Sequence, residues 1–199
     1  MTLLALLRHG PTEWNRSGRV QGRSDVPLDA EGRRVVESWT LPPEIAGFAP
    51  VASTLSRAWQ TAELLFGVPV ARDPRLVEMD WGTWDGMELA DLRARIGDLR
   101  AAWQAGGLDF RAPGGESARE MQARLRPFFR ECAAAGGPCI TVCHSGVIKA
   151  TYALSVGWDM TGPPPLRLED RRLHLFRLDA DGMPAPERLN IPLGAAETA

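Results

Sequence analysis

The sequence contains little cysteine, with only Cys132, Cys139 and Cys143 among its 199 residues. Cys139 and Cys143 lie in one apolar segment, PCITVCH, which is typical of a strand. Four strand residues span roughly 13 Å, which is too far for a disulfide bond between these two cysteines. No CxxC pair and no zinc-type spacing of cysteines occurs. The cysteine pattern therefore argues against a disulfide framework and predicts a cytoplasmic protein with reduced thiols.

The sequence also has little net charge and no long apolar run. Its formal charge is −2 at pH 7, so no global attraction draws the chain to nucleic acid or to an acidic membrane surface. The apolar start, MTLLALL, stops at Arg8 and is too short to cross a bilayer. We therefore expect neither nucleic acid nor a membrane as a partner, while a monomer and a homodimer both remain open.

Short apolar segments alternate with helical ones along most of the chain. STLSRAWQTAELLF is typical of a helix, with Ser53 as its expected N-cap and Gly67 at its end. Ser117 and Glu120 have the capping-box spacing, which predicts a helix that runs to about Ala135. Buried strands are predicted at residues 2–7, 51–53, 139–143 and 173–178, and a further helix at residues 145–155.

This alternation predicts the α/β class, as a single domain over residues 1–199. The expected architecture is a three-layer sandwich, with a mainly parallel central sheet and helices on both faces. Residues 80–112 are rich in Trp, Met and Arg and are broken by Gly, so we expect them to form a helical insertion over the sheet. Residues 180–199 are rich in Pro, Gly and Ala and are expected to form a loosely ordered tail.

Histidine and arginine follow three of the predicted strands. Arg8 and His9 end the first strand, Arg57 lies in the first turn of the helix after the second, and His144 follows the third. The carboxyl ends of parallel strands meet at one edge of a sheet, where ligands usually bind. The planar guanidinium of Arg matches phosphate oxygens, and His can attack as a neutral ring or donate as a cation. The sequence therefore predicts a strong anion pocket at this edge of the sheet.

Five segments, in this order, resemble the histidine phosphatase superfamily in its phosphoglycerate mutase-like branch. They are LLRHGPTEWNRSGRVQG, STLSRAWQTAELL, LVEMDWGTWDG, PGGES and ITVCHSGVIKA. Together they cover most of the chain from Leu3 to about Ala150. The Arg-His-Gly-x-Thr motif alone is a weak signal, whereas the ordered set is specific. The resemblance implies a phosphoglycerate mutase-like fold.

The resemblance also implies a role for each matching side chain. His9 matches the nucleophile that becomes phosphohistidine, and Arg8, Arg57 and His144 match the residues that hold the phosphate. Glu78 matches the acid that protonates the leaving oxygen and then activates water. No metal or other cofactor is expected, because the two arginines and a cationic histidine supply the positive charge.

Two further residues are expected at the substrate. Asn15 matches a side chain that often lines the same pocket, although it could instead hold a turn. Ser145 stands where many phosphatases of the family have glycine, and it could instead cap the helix that follows His144. Glu78 could likewise be a solvated loop acid, and Trp81 and Trp84 could serve in packing.

The function that the resemblance implies is a metal-independent phosphatase for small phosphomonoesters. The loop LVEMDWGTWDG resembles the phosphatases of the family, including α-ribazole phosphatases and broad-specificity members. The alternative is a cofactor-dependent phosphoglycerate mutase, whose carboxylate grip could come from arginines of the insertion: Arg93, Arg95, Arg100 and Arg111. A remote alternative is a catalytically silent binding protein, but such a protein would be expected to have lost His9, Arg57 or His144.

Overall fold

A computed structural model describes residues 1–97 and 99–195 of the chain. Eight strands occur within these ranges: β1 (Thr2–Arg8), β2 (Trp39–Thr40), β3 (Ala49–Ser53), β4 (Ala71–Asp73), β5 (Cys139–Cys143), β6 (Arg172–Leu178), β7 (Pro184–Pro192) and β8 (Gly194–Ala195). Six of them form the central sheet in the order β4-β3-β5-β1-β6-β7, and β2 pairs with β8.

The central sheet is mainly parallel, as the sequence predicts. β1 and β3 both pair in parallel with β5, and β4 pairs in parallel with β3. β6 and β7 extend the sheet beyond β1 in antiparallel pairing. The carboxyl ends of β1, β3 and β5 therefore lie side by side at one edge.

Seven α-helices connect or cover the strands in the described ranges: α1 (Glu13–Arg16), α2 (Ala30–Glu37), α3 (Ser56–Phe66), α4 (Leu89–Ile96), α5 (Leu99–Gly106), α6 (Ala118–Ala135) and α7 (Ser145–Val156). Short 3₁₀ turns occupy Pro43–Ile45, Pro74–Leu76, Gly82–Trp84 and Gly107–Asp109. Among the described helices, none combines the length and the apolar character that crossing a bilayer demands.

Alternate residues of β1 and β5 point to opposite faces of the sheet and bury different helices. Leu4 and Leu6 pack in one cluster with Leu125 of α6 and Ile148 of α7. On the other face, Val142 of β5 packs with α3. The central strands are thus apolar on both faces, which explains why their sequences are continuous apolar runs rather than alternating ones.

The start of α3 differs from the prediction. Ser53 is the last residue of β3 and does not cap the helix, because Leu55 occupies the N-cap position. The free N–H of Ser56 instead donates to the carboxylate of Asp25 at 2.6 Å. A carboxylate from a distant loop therefore satisfies the helix end, and Gly67 ends the helix in the left-handed conformation as expected (φ 68°).

The expectation of a loose tail is wrong for its described part. β7 is an edge strand of the central sheet and β8 continues from it, whereas residues 196–199 lie outside the described ranges. The prolines of this segment favoured a loop in the sequence. They are tolerated here because an edge strand needs hydrogen bonds along one side only.

Candidate active site

Three strand ends place the predicted residues together. β1 pairs with β5 up to Arg8 and Cys143, and the N–H of His9 donates to the carbonyl of Cys143 at 3.0 Å. His144 follows β5 directly, so its ring lies 5.2 Å from the ring of His9 between centroids. The two histidines that the sequence predicts at one sheet edge are therefore neighbours in the fold.

The ring of His9 is held in one orientation. Its Nδ1 lies 2.6 Å from the carbonyl oxygen of Gly10, and a carbonyl can only accept. Nδ1 therefore carries the proton, which leaves the lone pair of a neutral ring on Nε2. Glycine at position 10 allows close packing here, because a Cβ would lie 2.3 Å from Val36 Cγ2 and force a shift.

Both histidines are neutral in this site. Burial lowers the pKa of His9 well below its ordinary value, and the positive charges of Arg57 and Arg8 lower it further. The pKa of His144 is also lowered, first by burial and then by Arg57. For His9 this is the form a nucleophile needs. For His144 it corrects the expectation of a cationic histidine, because the dry, arginine-rich surroundings penalise a further positive charge.

His144 nevertheless keeps a donor, because Ser53 fixes its tautomer. Ser53 Oγ accepts from the N–H of Leu55 at 3.3 Å and lies 2.8 Å from His144 Nε2. No other acceptor for the Ser53 hydroxyl lies among the described residues, so we infer that it donates to Nε2 and that the ring proton is on Nδ1. That buried Nδ1 has no hydrogen-bond partner among the described residues.

Arg57 is a fully buried cation held by backbone carbonyls. Its terminal nitrogens donate to Ser24 O at 2.9 Å and Gly22 O at 2.7 Å. Asp85 shapes this turn by accepting from the N–H groups of Gly22 and Ser24. Burial lowers the pKa of Arg57 to about 10, so the guanidinium stays charged at neutral pH. Its Nε atom has no partner among the described residues.

Glu78 is buried against the amino end of α7. One carboxylate oxygen accepts from the N–H of Met79 at 2.8 Å, and the other accepts from the N–H of Gly146 at 3.2 Å. A Cβ at position 146 would lie 2.2 Å from Glu78 Oε1. Gly146 is therefore what lets the acid approach the helix end so closely.

A cavity of about 1200 Å³ opens in front of these residues. Of the residues predicted at the site, it is lined by Arg8, His9, Asn15, Glu78 and Ser145. Arg57 and His144 are not part of its lining and lie fully buried behind it. All seven predicted side chains thus converge, but two of them form a layer behind the cavity wall.

Contacts of Asn15 and Ser145 decide alternatives that the sequence left open, and Arg8 makes an ion pair. Asn15 Oδ1 accepts from the N–H of Thr12 at 3.0 Å, so the amide does hold a turn while also lining the cavity. Ser145 is the first residue of α7 and not its cap, since His144 takes the N-cap position. Its hydroxyl lies 3.4 Å from Glu78 Oε2. Arg8 pairs with the carboxylate of Asp170 at 2.6 Å.

The family model of the histidine phosphatase superfamily (branch 1) matches residues 4–192 of the chain. The chain belongs to this superfamily. The resemblance in the sequence motifs is thereby confirmed, and the predicted phosphatase function is supported at the level of the superfamily. This histidine phosphatase carries the family's fold over nearly its whole length.

Similar proteins include both phosphoglycerate mutases and phosphatases, the two functions that the sequence suggested. A probable phosphoglycerate mutase from Proteus mirabilis is 32% identical over 188 residues, covering 92% of this chain and 87% of that protein. A mycobacterial glucosyl-3-phosphoglycerate phosphatase, solved with inorganic phosphate, superposes with a TM-score of 0.77 at 28% identity and full coverage of both chains. The α-ribazole phosphatase of Shigella flexneri shares the fold, with a TM-score of 0.75 at 23% identity over 99% of this chain and 100% of that one.

Sequence reasoning missed four residues that shape the histidine phosphatase site: Gln21, Ser53, Asp85 and Asp170. Gln21 lines the cavity, and its buried Nε2 has no partner among the described residues while its Oε1 accepts from Thr12. Gln21, Ser53 and Asp85 lie inside the motifs that carry the resemblance. Their motif positions were thus the available signal, whereas Asp170 had none.

Replacing Ser53 with alanine tests its hold on His144. We expect kcat/KM for a phosphomonoester to fall about tenfold, the effect of one lost hydrogen bond to a group that acts in the site. Nitrogen NMR of the ring should show the fixed Nδ1–H tautomer of His144 in the parent protein and a mixture in Ser53→Ala. Ser38→Ala, which removes only a bond to Val35 O, is the control. An unchanged tautomer in Ser53→Ala would show that other contacts orient the ring.

Proposed function

We propose that the protein is a phosphatase that hydrolyses small phosphomonoesters by double displacement through His9. The observation that carries the proposal is the 2.6 Å contact between His9 Nδ1 and Gly10 O, which leaves the nucleophilic lone pair on Nε2. His9 lines the same cavity as Glu78 and Arg8. A nucleophile, an acid and a cation thus face one space, as a covalent phosphoryl transfer requires.

In the first step Nε2 of His9 attacks phosphorus and the ester P–O bond breaks. Glu78 gives its proton to the departing oxygen, because an alkoxide is a poor leaving group. Arg8 and Arg57 offset the charge on the phosphoryl oxygens, and His144 donates from Nδ1. In the second step Glu78 takes a proton from water, the water oxygen attacks phosphohistidine, and inorganic phosphate and neutral His9 are released.

Two observations bear on the alternative of a phosphoglycerate mutase. Relatives named as mutases are 32% and 31% identical, close to the 28% of the glucosyl-3-phosphoglycerate phosphatase. Arg93 of the insertion lines the cavity. Arg95 does not line it, Arg111 pairs with Glu120, and the side chain of Arg100 lies outside the described part of the structure. A mutase must keep water out, yet no described residue after Arg171 lines the cavity. We therefore propose water as the acceptor.

The decisive experiment supplies 3-phosphoglycerate with a trace of 2,3-bisphosphoglycerate and follows 2-phosphoglycerate and free phosphate together. Phosphate release without isomerisation supports the phosphatase. Fast isomerisation with negligible phosphate release would establish the mutase. Turnover of p-nitrophenyl phosphate, measured beside it, distinguishes either enzyme from a catalytically silent binding protein.

Glu78→Gln tests the acid. We expect kcat on an alkyl phosphate to fall about 100-fold or more, because the alkoxide must be protonated as it leaves. The fall on p-nitrophenyl phosphate should be far smaller, since that leaving group needs little protonation. Glu63→Gln, on the exposed pair with Arg72, is the control. Equal losses on both substrates would assign Glu78 to positioning instead.

We propose that the reaction needs no metal ion, because Arg8 and Arg57 already supply the positive charge that metal ions supply in other phosphoryl-transfer enzymes. Prolonged treatment with EDTA, followed by gel filtration, is expected to leave kcat within about twofold of the untreated enzyme. Activity that disappears and returns on addition of magnesium or zinc would overturn this proposal.

We also propose that the enzyme works in the cytoplasm on a small molecule, without nucleic acid or a membrane as a partner. The formal charge of −2 supports the first part, and the three unpaired thiols of Cys132, Cys139 and Cys143 suit a reducing compartment. Light scattering coupled to gel filtration decides between a monomer and a homodimer.

A further inference from the structure

Tryptophan is concentrated around the cavity. Four of the seven tryptophans in the chain line it: Trp39, Trp81, Trp103 and Trp158. Each is only partly buried, so aromatic surface faces the cavity. Half-exposed aromatic rings in a concave site mark a place where a ligand buries apolar area. A phosphoryl group at His9 would fill only part of a cavity of about 1200 Å³.

One wall of this aromatic region comes from the insertion. The rings of Trp81 and Trp103 lie 5.4 Å apart between centroids. Trp84 and Phe110 pack behind them, at 6.3 Å from Trp81 and 5.2 Å from Trp103 respectively. The wall is therefore held by ring-to-ring packing. Trp81 follows Glu78 by three residues and lines the same cavity, so the acid and this wall border one space.

The other wall comes from α7 and the loop after it. Ser145 and Tyr152 lie two helical turns apart on the face of α7 that lines the cavity. Ser145 contacts Glu78, so Tyr152 marks the direction in which the cavity extends from the acid. The ring of Trp158 lies 6.5 Å from Tyr152 and donates its N–H to Thr161 O at 3.1 Å. Its polar atom is thereby satisfied, and the apolar ring remains for a ligand.

We propose that this aromatic region binds the alcohol part of the substrate, and that the preferred substrate is a phosphomonoester whose alcohol carries a planar ring system. The proposal rests on the proposed function, since it places the phosphoryl end at His9. A short polyol or a three-carbon acid would leave the cavity-lining rings of Trp81 and Trp158 in water. A planar ring bound in the cavity covers apolar surface that a short polyol leaves exposed.

The test compares phosphates whose leaving alkoxides are alike, so that only binding of the alcohol differs. Ethyl phosphate, 2-(2-naphthyl)ethyl phosphate and 3-(phosphonooxy)propanoate meet this condition. The last one probes the cations Lys149 and Arg171, which line the same cavity. We expect kcat/KM for the naphthyl ester to exceed that for ethyl phosphate about tenfold to a hundredfold. Equal values for these two, or a preference for the carboxylate ester over the naphthyl ester, would overturn the proposal.

Two variants test which residues cause the preference for the naphthyl ester. Trp103→Leu should reduce the naphthyl-to-ethyl ratio at least about fivefold, whereas Trp59→Leu should leave it unchanged. Trp59 lies on α3, with Arg72 stacked 4.0 Å from its ring, and is not part of the cavity lining. An equal reduction in both variants would contradict the assignment of the subsite to the insertion wall.

Calorimetry with the non-hydrolysable phosphonates of the same alcohols separates this proposal from the proposed function and does not depend on the variants folding. Tighter binding of the naphthyl phosphonate, without hydrolysis of any of the esters, would support the aromatic subsite and contradict the proposed phosphatase function. Hydrolysis of all three esters with equal binding of the phosphonates would support the phosphatase function and contradict the aromatic subsite.

Discussion

Replacing His9 with glutamine is expected to abolish phosphomonoester hydrolysis, with kcat at least about 10⁴-fold below the parent enzyme. The amide keeps a polar side chain at the end of β1 but has no lone pair that can accept a phosphoryl group at neutral pH. Acid quench with labelled substrate should trap an adduct in the parent protein that is stable to base and labile to acid. His9→Gln should trap none.

The protonation state of His9 gives an independent check. Since burial and the charges of Arg57 and Arg8 lower the pKa of His9, protonation, which would remove the nucleophile, occurs only at a lower pH than for an ordinary histidine. The chain has only three histidines, so their ring signals can be assigned and followed by NMR. The His9 ring should still be neutral at about pH 6, below the ordinary pKa of about 6.5. Near wild-type turnover in His9→Gln, or a titration of His9 centred on 6.5, would contradict the assignment.

Arg57→Met should produce the second large loss, at least about 10³-fold in kcat, because a charge that offsets the transferring phosphoryl group is removed from a dry site. The variant should also be less stable by about 2 kcal/mol, since the buried carbonyls of Gly22 and Ser24 lose their donors. Denaturant unfolding and kinetics, measured on the same sample below its unfolding midpoint, separate the two effects.

Arg72→Met is the matched control. Arg72 is an exposed arginine that pairs with Glu63 and stacks on Trp59. Its replacement is expected to cost less than about 1 kcal/mol and to leave kcat unchanged. A folded Arg57→Met protein that retained kcat within about tenfold of the parent would remove Arg57 from the phosphoryl-transfer machinery.

The parts of this site that follow from strand ends could be predicted from the sequence. Arg8 and His144 each come directly after an apolar run, and His9 follows Arg8. A parallel sheet brings such positions to one edge whatever the details of the loops. Gly146 and Glu78 lie in motifs, but their contact joins residues 68 positions apart. Only the fold shows that the acid touches the helix end.

The predictions on Ser53, on the tail and on the charge of His144 were wrong for one physical reason. Each relied on the local sequence, whereas residues distant in the sequence determine the structure there. A serine just before a helical segment usually caps it, but Asp25 takes that role at α3 and releases Ser53 to His144. A segment rich in proline usually forms a loop, but β6 offers the tail an edge to pair with. A histidine beside an anion site is usually pictured as a cation, but burial, and after it the charge of the distant Arg57, lowers the pKa of His144 and favours the neutral ring.

The hydrogen bonds that Asp85 accepts from Gly22 and Ser24 connect the insertion to the phosphate site. The two parts therefore cannot be exchanged independently. An engineer who wished to alter substrate choice would graft the aromatic insertion from another protein onto this scaffold. Asp85 lies within the same stretch of chain as Trp81 and Trp84, and it shapes the turn whose carbonyls hold Arg57. A graft that changes the wall without supplying an acid at position 85 would therefore loosen the phosphate site as well, and recognition and turnover would have to be redesigned together.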